Sequence, residues 1–554
     1  MFTTKQTQLF NKPEVSTVST GKGLFINSAL KKSAVTRSEN GSVKYSTTGD
    51  DFVDQFSNIG KYKLPRTYDE ISKDMDILWS QDQLAATKFA FYLRTIPRKV
   101  TLINGTVTEA PQKGAELRWE SLMRLVWLSQ KSPTTFKSNF PLFLSLGSWK
   151  DAFKLLQYDL IYNGWDKRVL DWQFMGNIIV SGLANTNTCE LIKKYLPQIH
   201  NKKKCGTVEK QANTMIGKWL CSLLFGAKTG DGSGNYKKYR LLKATGTAHT
   251  WQQLISQQKF DLIDFDKVHG RALKLMSSSK FLENQGLKEK YAEWIKGPDA
   301  MVKYTGFVHE LFPNDKPSEQ HIKDTINKQF NVLVEKAKEN EANTPYIVVR
   351  DTSGSMGSPV IGEKFSSNHV AKAIALYFSQ FLKGPFANAF IEFADTATLR
   401  EWKGSTPFDK FYNDKCDAYG STNFMSVIGL FCSLRSQISD ESEFPKGIIC
   451  ISDGEFNPAS LGKTNVDSAR EMLRQAGFSR DFVDNFVITL WNIPNSFYGR
   501  SAVKFETHGE VSNVFYFSGL SASVISFLNG KVSTARDLFD EAMNQEVLNL
   551  IEIY

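Results

Sequence analysis

The sequence predicts two architectures in series: an α-solenoid over residues 25–340, then an α/β domain with a doubly wound sheet over residues 341–530. A flexible arm (1–24) precedes them and a C-terminal amphipathic helix (531–554) follows. Three observations carry this. Before residue 340 the apolar residues recur almost throughout at helical spacing, with short Pro and Gly breaks and hardly any period-two run. After it, short apolar runs ending in acidic residues alternate with helical segments, the pattern of a parallel sheet. The charge also changes sign: residues 1–340 hold 50 Lys+Arg against 33 Asp+Glu, and residues 341–554 hold 18 against 25.

The first 24 residues, rich in Thr, Ser, Gln and Lys, have too little apolar content to fold alone. Asp51 to Ile59 places Phe52, Phe56 and Ile59 on one helical face. Asp69–Ser80, Gln83–Thr95 and Ala115–Ser129 follow, then Trp149–Tyr158, Lys167–Gly176 and Cys189–Tyr195. Helix pairs joined by short turns bury their faces against neighbouring pairs, which is solenoid logic. Gly226–Gly234 is glycine-rich but lacks the order of a phosphate-binding loop and reads as a surface connection. A polar helix from Gln320 to Asn340 reads as the link to the second part.

In that second part, Tyr346–Val349 is a short apolar run, read as a strand buried on both faces. It ends in Asp351-Thr-Ser353-Gly-Ser355, which sets hard oxygen groups at the carboxyl end of a strand, where open α/β sheets bind ligands. Gly447–Ile451 is a second such strand and ends in Ser452-Asp453-Gly454; between the two lies Gly420-Ser421-Thr422, ahead of an apolar-periodic helix. Carboxylate and hydroxyl oxygens suit Mg²⁺ or Mn²⁺ better than a soft metal. A plainer reading also stands, in which Thr422 caps the following helix and Asp453 caps its own loop. Strands are further expected at Asn388–Phe393, Asn485–Trp491 and Val514–Phe517, and helices at Phe365–Phe381 and Ala522–Leu528. The tail, with Leu538, Phe539, Ala542, Met543, Val547, Leu548 and Ile551, must dock either on the helical part or on a partner.

The order DxSxS, Gly-x-Thr, Ser-Asp-Gly resembles the metal-ion-dependent adhesion site of von Willebrand factor A domains. The resemblance implies that Asp351, Ser353, Ser355, Thr422 and Asp453 ligate a divalent cation, Mg²⁺ first and Mn²⁺ or Ca²⁺ as alternatives. It also implies an open position on the ion for an acidic group of a protein partner. The helical part resembles TROVE modules, the HEAT-like rings of the Ro ribonucleoprotein family, in which a type A domain follows the ring. The stretches that carry this are Ser46-Thr-Thr-Gly49-Asp-Asp-Phe52, Leu142–Phe153 with Gly147-Ser-Trp149-Lys150-Asp151, and Trp251–Val268. The likeness is closer to the uncharacterised plant, bacterial and viral relatives of that family than to the Ro protein itself. The resemblance implies RNA binding, to structured RNA on the outside of a ring and to single-stranded ends through it.

Basic clusters are weighed beside that resemblance. Lys193 and Lys194 precede Tyr195, and Lys202, Lys203, Lys204 and Lys210 follow closely. A second group holds Lys237, Lys238, Arg240 and Lys243 around Tyr236 and Tyr239, with Lys267 and Arg271 beyond. Lys and Arg neutralise phosphates and Tyr stacks on unpaired bases; the bland alternative is that these lysines are solvated outer faces of helices. The expected function is therefore non-enzymatic: an RNA-binding protein with a divalent-metal site for a second ligand, or, alternatively, a protein-interaction scaffold that recruits an acidic residue through the metal. No histidine, lysine or nucleophile–base pair lies in the three loops. No run of about 18–20 apolar residues suggests a membrane span. Six scattered cysteines without C-x-x-C, and an N-terminus without a secretory layout, fit a reduced, cytoplasmic protein.

Overall fold

The computed structural model describes residues 35–59, 66–200, 206–226, 234–245, 251–304, 306–339, 346–361, 363–415, 419–460, 462–493, 495, 504–509, 511–519 and 533–554. The arm 1–24, Lys202, Lys203 and Lys204, the expected helix 522–528 and most of the glycine-rich loop lie outside these residues. The described residues form two compact units: residues 66–259 with 541–554, and residues 35–59 with 260–540. The boundary read at 340/341 falls inside the second unit.

The first unit is helical. Its helices include Tyr68–Gln81, Gln83–Arg94, Arg118–Lys131, Pro133–Leu146, Lys150–Asn163, Trp172–Ala184, Cys189–Tyr195, Val208–Phe225 and Gly234–Thr245. Their starts are written locally: Thr67 and Glu70 make a reciprocal capping box, and Asp82 and Asp171 accept from the Ala85 and Phe174 amides. The Gly147–Asp151 stretch acquires a physical reason here. Asp151 is fully buried and takes Arg94 and Arg118, each at 2.7 Å, plus the Ser148 amide. One carboxylate thus ties three helices, and a Cβ on Gly147 would lie 2.5 Å from its Oδ2. The tail docks back on this unit. Asn139 exchanges two hydrogen bonds with the Glu552 backbone, and Gln112 accepts from the Val547 amide.

The second unit contains a six-stranded sheet. Its strands are β3 (Tyr346–Asp351), β4 (Ala389–Phe393), β5 (Ala397–Glu401), β6 (Gly447–Ser452), β7 (Val487–Asn492) and β8 (Val514–Ser518). Their order is β5-β4-β3-β6-β7-β8, parallel except for the antiparallel edge pair β4–β5. Every residue of β3 and β6 is buried, as expected of inner parallel strands, and this includes Arg350. That guanidinium bridges Glu392 at 3.1 Å and Asp414 at 2.7 Å and lies over the Phe390 ring. The Gln320–Glu339 helix packs within this unit: Gln329 donates to the Gly270 carbonyl and Asn327 accepts from the Phe408 amide.

Residues 35–57, expected to belong to the helical module, lie instead in the second unit. They open with an antiparallel hairpin, β1 (Val35–Arg37) and β2 (Val43–Tyr45), bridged to the sheet domain through Tyr45 and Phe505. The helix Asp51–Ser57 follows, with Phe52 and Phe56 against Phe539. No helix among the described residues is long and apolar enough to cross a membrane. Cys189, Cys221, Cys432 and Cys450 are free thiols.

Candidate functional site

The strand order reverses beside β3, so the carboxyl ends of β3 and β6 flank the crevice where such sheets place ligands. Asp351 is the last residue of β3 and Asp453 the first after β6. Asp351 is wholly buried; its Oδ1 accepts from the Ser353 amide at 2.8 Å and its Oδ2 from the Ser452 hydroxyl at 2.5 Å. Asp453, 5 % exposed, accepts from Asn495 Nδ2 at 3.0 Å, from the Ser355 hydroxyl and, weakly, from the Glu455 amide. The Ser353 and Ser355 hydroxyls lie 3.4 Å apart.

The Thr422 loop joins them through the backbone. The Gly354 amide donates to the Gly420 carbonyl, the Tyr419 amide to the Thr352 carbonyl, and the Asn457 amide to the Thr422 carbonyl at 2.9 Å. Gly420 adopts φ +78°, and a Cβ there would sit 2.6 Å from Asp395 Oδ2, the carboxylate that holds Ser421. Thr422 is buried but does not cap the next helix; that helix runs Phe424–Arg435 with Asn423 at the cap position. The capping alternative for Asp453 survives only as the 3.4 Å contact to the Glu455 amide, since no helix follows it directly.

Electrostatics single this place out. Burial holds both carboxyls above the ordinary aspartate range, and the Asp453 charge raises Asp351 further, against the hydrogen bonds that favour ionisation. Neither acid forms an ion pair with a lysine, arginine or histidine among the described residues. A donor set of two carboxylates and neighbouring hydroxyls fits a hard divalent cation, which would neutralise the uncompensated charge. Among the described residues no three or more His, Cys, Asp or Glu gather in a metal-holding arrangement. Any ion at this crevice must therefore take part of its ligand set from hydroxyls, carbonyls or water. Sequence reasoning overlooked Ser452, Asn495 and Asn457 as supports. Ser452 and Asn495 stand at or just past the carboxyl end of a sheet strand, a position that could have flagged them.

The basic residues divide. Lys194, Lys210, Lys237, Lys238 and Arg240 are exposed in the first unit, on the helices Cys189–Tyr195, Val208–Phe225 and Gly234–Thr245. Lys194 lies over Tyr195 and Arg240 over Tyr236. Lys193 is paired with Glu190 at 2.7 Å. Lys243 donates to the Leu196 carbonyl at 2.6 Å, closing the end of the Cys189–Tyr195 helix, and burial lowers its pKa. Tyr239 is buried with its hydroxyl on the Pro197 carbonyl, so it is a packing residue and no stacking platform. Lys267 and Arg271 belong to the other unit and are paired, Lys267 with Asp264 and Arg271 in bidentate fashion with Glu310.

No curated protein matches the chain. Residues 346–549, from the first residue of β3 through all six strands, match a family described as a domain of unknown function, DUF7788.

Proposed function

We propose that the second unit is a divalent-cation-dependent recruitment domain of the von Willebrand factor A type. Asp351, Ser353, Ser355, Thr422 and Asp453 hold Mg²⁺, and the ion accepts a carboxylate from a protein partner. The observation that carries this reading is the pair of buried, uncompensated aspartates beside two serine hydroxyls at a sheet switch point. The chemistry is binding: the ion supplies a fixed positive charge, and the loops supply its geometry. Titration of the chain with Mn²⁺, followed by electron paramagnetic resonance, tests it. One ion per chain, absent in Asp351→Ala, is the expected result; no saturable binding refutes it.

A second reading concerns the first unit, taken as a TROVE-like helical module that binds RNA. Residues 65–259 carry 28 Lys+Arg against 15 Asp+Glu, so the basic surplus concentrates there. The exposed cations Lys194, Lys237, Lys238 and Arg240 on two packed helices support phosphate contact. Charge reversal of Lys237, Lys238 and Arg240 should weaken RNA binding and flatten its salt dependence, by roughly one unit of log–log slope for each phosphate no longer neutralised. An unchanged slope would remove those residues from the interface.

A further inference from the structure

The loop that carries Asp453 is held by a segment more than 400 residues away in sequence. Residues 453–459 form neither helix nor strand. Three successive carbonyls after Asp453 nevertheless each receive a donor from the β1–β2 hairpin. Lys44 Nζ donates to Gly454 at 3.0 Å, Asn40 Nδ2 to Glu455 at 2.5 Å, and Ser38 Oγ to Phe456 at 2.7 Å. The Glu39 amide adds a bond to the Glu455 carboxylate.

Lys44 is the centre of this clasp. Its side chain is 2 % exposed, its ammonium lies 4.3 Å from the Phe456 ring centroid, and it pairs at 2.8 Å with Glu506, whose side chain is fully buried. A buried ion pair is weak evidence of stability, because desolvation offsets most of the attraction; its best-attested use is to fix register. Here the pair fixes where the hairpin sits. The other Glu506 oxygen accepts from the Asn465 amide at 2.8 Å, and Asn465 Nδ2 donates to Ser42 Oγ at 2.7 Å and to the Asn457 carbonyl at 3.3 Å. The Asn457 amide in turn donates to the Thr422 carbonyl. The hairpin therefore reaches both loops that complete the site opposite Asp351.

We propose that the β1–β2 hairpin is a working part of the cation site. By clasping the Gly454–Phe456 backbone and, through Asn465 and Asn457, the Thr422 loop, it sets the ligand spacing and hence cation affinity. Seating of the N-terminal hairpin thereby regulates the recruitment that depends on the ion. This rests on the cation reading above. The physical basis is preorganisation: outer partners that orient a metal's ligands are worth about 10–100-fold in affinity, and a loop lacking its own ladder bonds depends on borrowed ones.

The test compares the full chain with Ser38→Ala/Asn40→Ala and with Lys44→Met/Glu506→Gln, which removes both buried charges together. Two quantities are read: Mn²⁺ affinity with the resonance line shape of the bound ion, and Tm in EDTA. The expected result for Ser38→Ala/Asn40→Ala is an affinity loss of about tenfold and an altered line shape, with Tm in EDTA close to wild type. Wild-type affinity in that variant overturns the proposal even if the Lys44 variant fails to fold. A loss of affinity matched by an equal loss of metal-free stability also overturns it, since the hairpin would then be structural only. If the wild type binds no Mn²⁺, the cation reading itself falls, an outcome distinct from both.

Discussion

Replacing Asp351 by Asn separates a cation site from a structural turn, because the two make opposite predictions for the metal-free protein. The amide fits the same contacts. Its oxygen keeps the Ser353 amide, and its nitrogen donates to Ser452 Oγ, which already accepts from the Gly454 amide and has a second lone pair. The charge is removed, and the Ser452 hydroxyl, which donates to Asp351 Oδ2, must turn its proton elsewhere. Burial and the Asp453 charge, against the Ser452 and Ser353 hydrogen bonds, push the Asp351 carboxyl from 3.8 up to about 7, and each unit is worth about 1.4 kcal/mol. Asp351→Asn should therefore stabilise the metal-free chain by roughly 2–4 kcal/mol at pH 8, or about 3–6 °C in Tm for a unit of this size. In wild type, Mg²⁺ at about a hundred times its Kd should restore some 2.7 kcal/mol; in the variant it should restore nothing. Differential scanning calorimetry in EDTA and in excess Mg²⁺ reads all four states. If the variant melts below wild type in EDTA, or if Mg²⁺ shifts both equally, the reasoning is wrong.

Two further outcomes follow from buried charge elsewhere in the second unit. Arg350→Met should cost about 3 kcal/mol, because Asp414 is left with Lys372 and Arg400 no closer than 3.7 and 3.8 Å. Adding Asp414→Asn should recover most of that loss in urea titrations. His369 stacks on Phe365 and meets Phe411 edge-on, and burial, aided by the Lys372 and Lys274 charges, pushes its pKa down to about 4. The native state keeps it neutral while the unfolded chain protonates it near pH 6.5, so its contribution is complete above pH 6.5 and declines as pH falls toward 4. Wild type should lose up to about 3 kcal/mol more than His369→Gln across that window, read from urea midpoints at pH 7.5 and 4.5.

What the sequence made legible was set by how far each signal depends on distant chain. β3 and β6 read as uninterrupted apolar runs because both faces are covered, and their terminal acids announced the crevice. β5, Ala-Thr-Leu-Arg-Glu, escaped notice because an edge strand is half solvated and carries no such run. The three-residue strands of the hairpin are shorter than any periodicity window, and their partners lie some 400 residues on. The Gln320–Glu339 helix showed an apolar face, but periodicity does not say what covers it; Phe330 packs near Phe312 and Tyr377, which moves the unit boundary upstream. Lysine clustering likewise could not reveal that Lys243 is spent on a helix end while Lys238 is exposed to solvent.

Compensation of buried acids gives the strongest reason to look for an ion at Asp351 and Asp453. Six acids are buried in the described residues: Asp151, Asp159, Asp351, Asp453, Glu455 and Glu506. Asp151 has two arginines, Glu455 has Lys504 and Glu506 has Lys44. Asp159 takes four N–H donors, from Asn163, Val169, Leu170 and Trp172. Of the six, Asp351 and Asp453 share one crevice and neither forms an ion pair among the described residues, and the Asp453 charge adds to the proton affinity of Asp351. A fold that gives three of its other four buried acids a cationic partner leaves these two carboxyls without one, beside two hydroxyls. One divalent cation would balance both carboxylates.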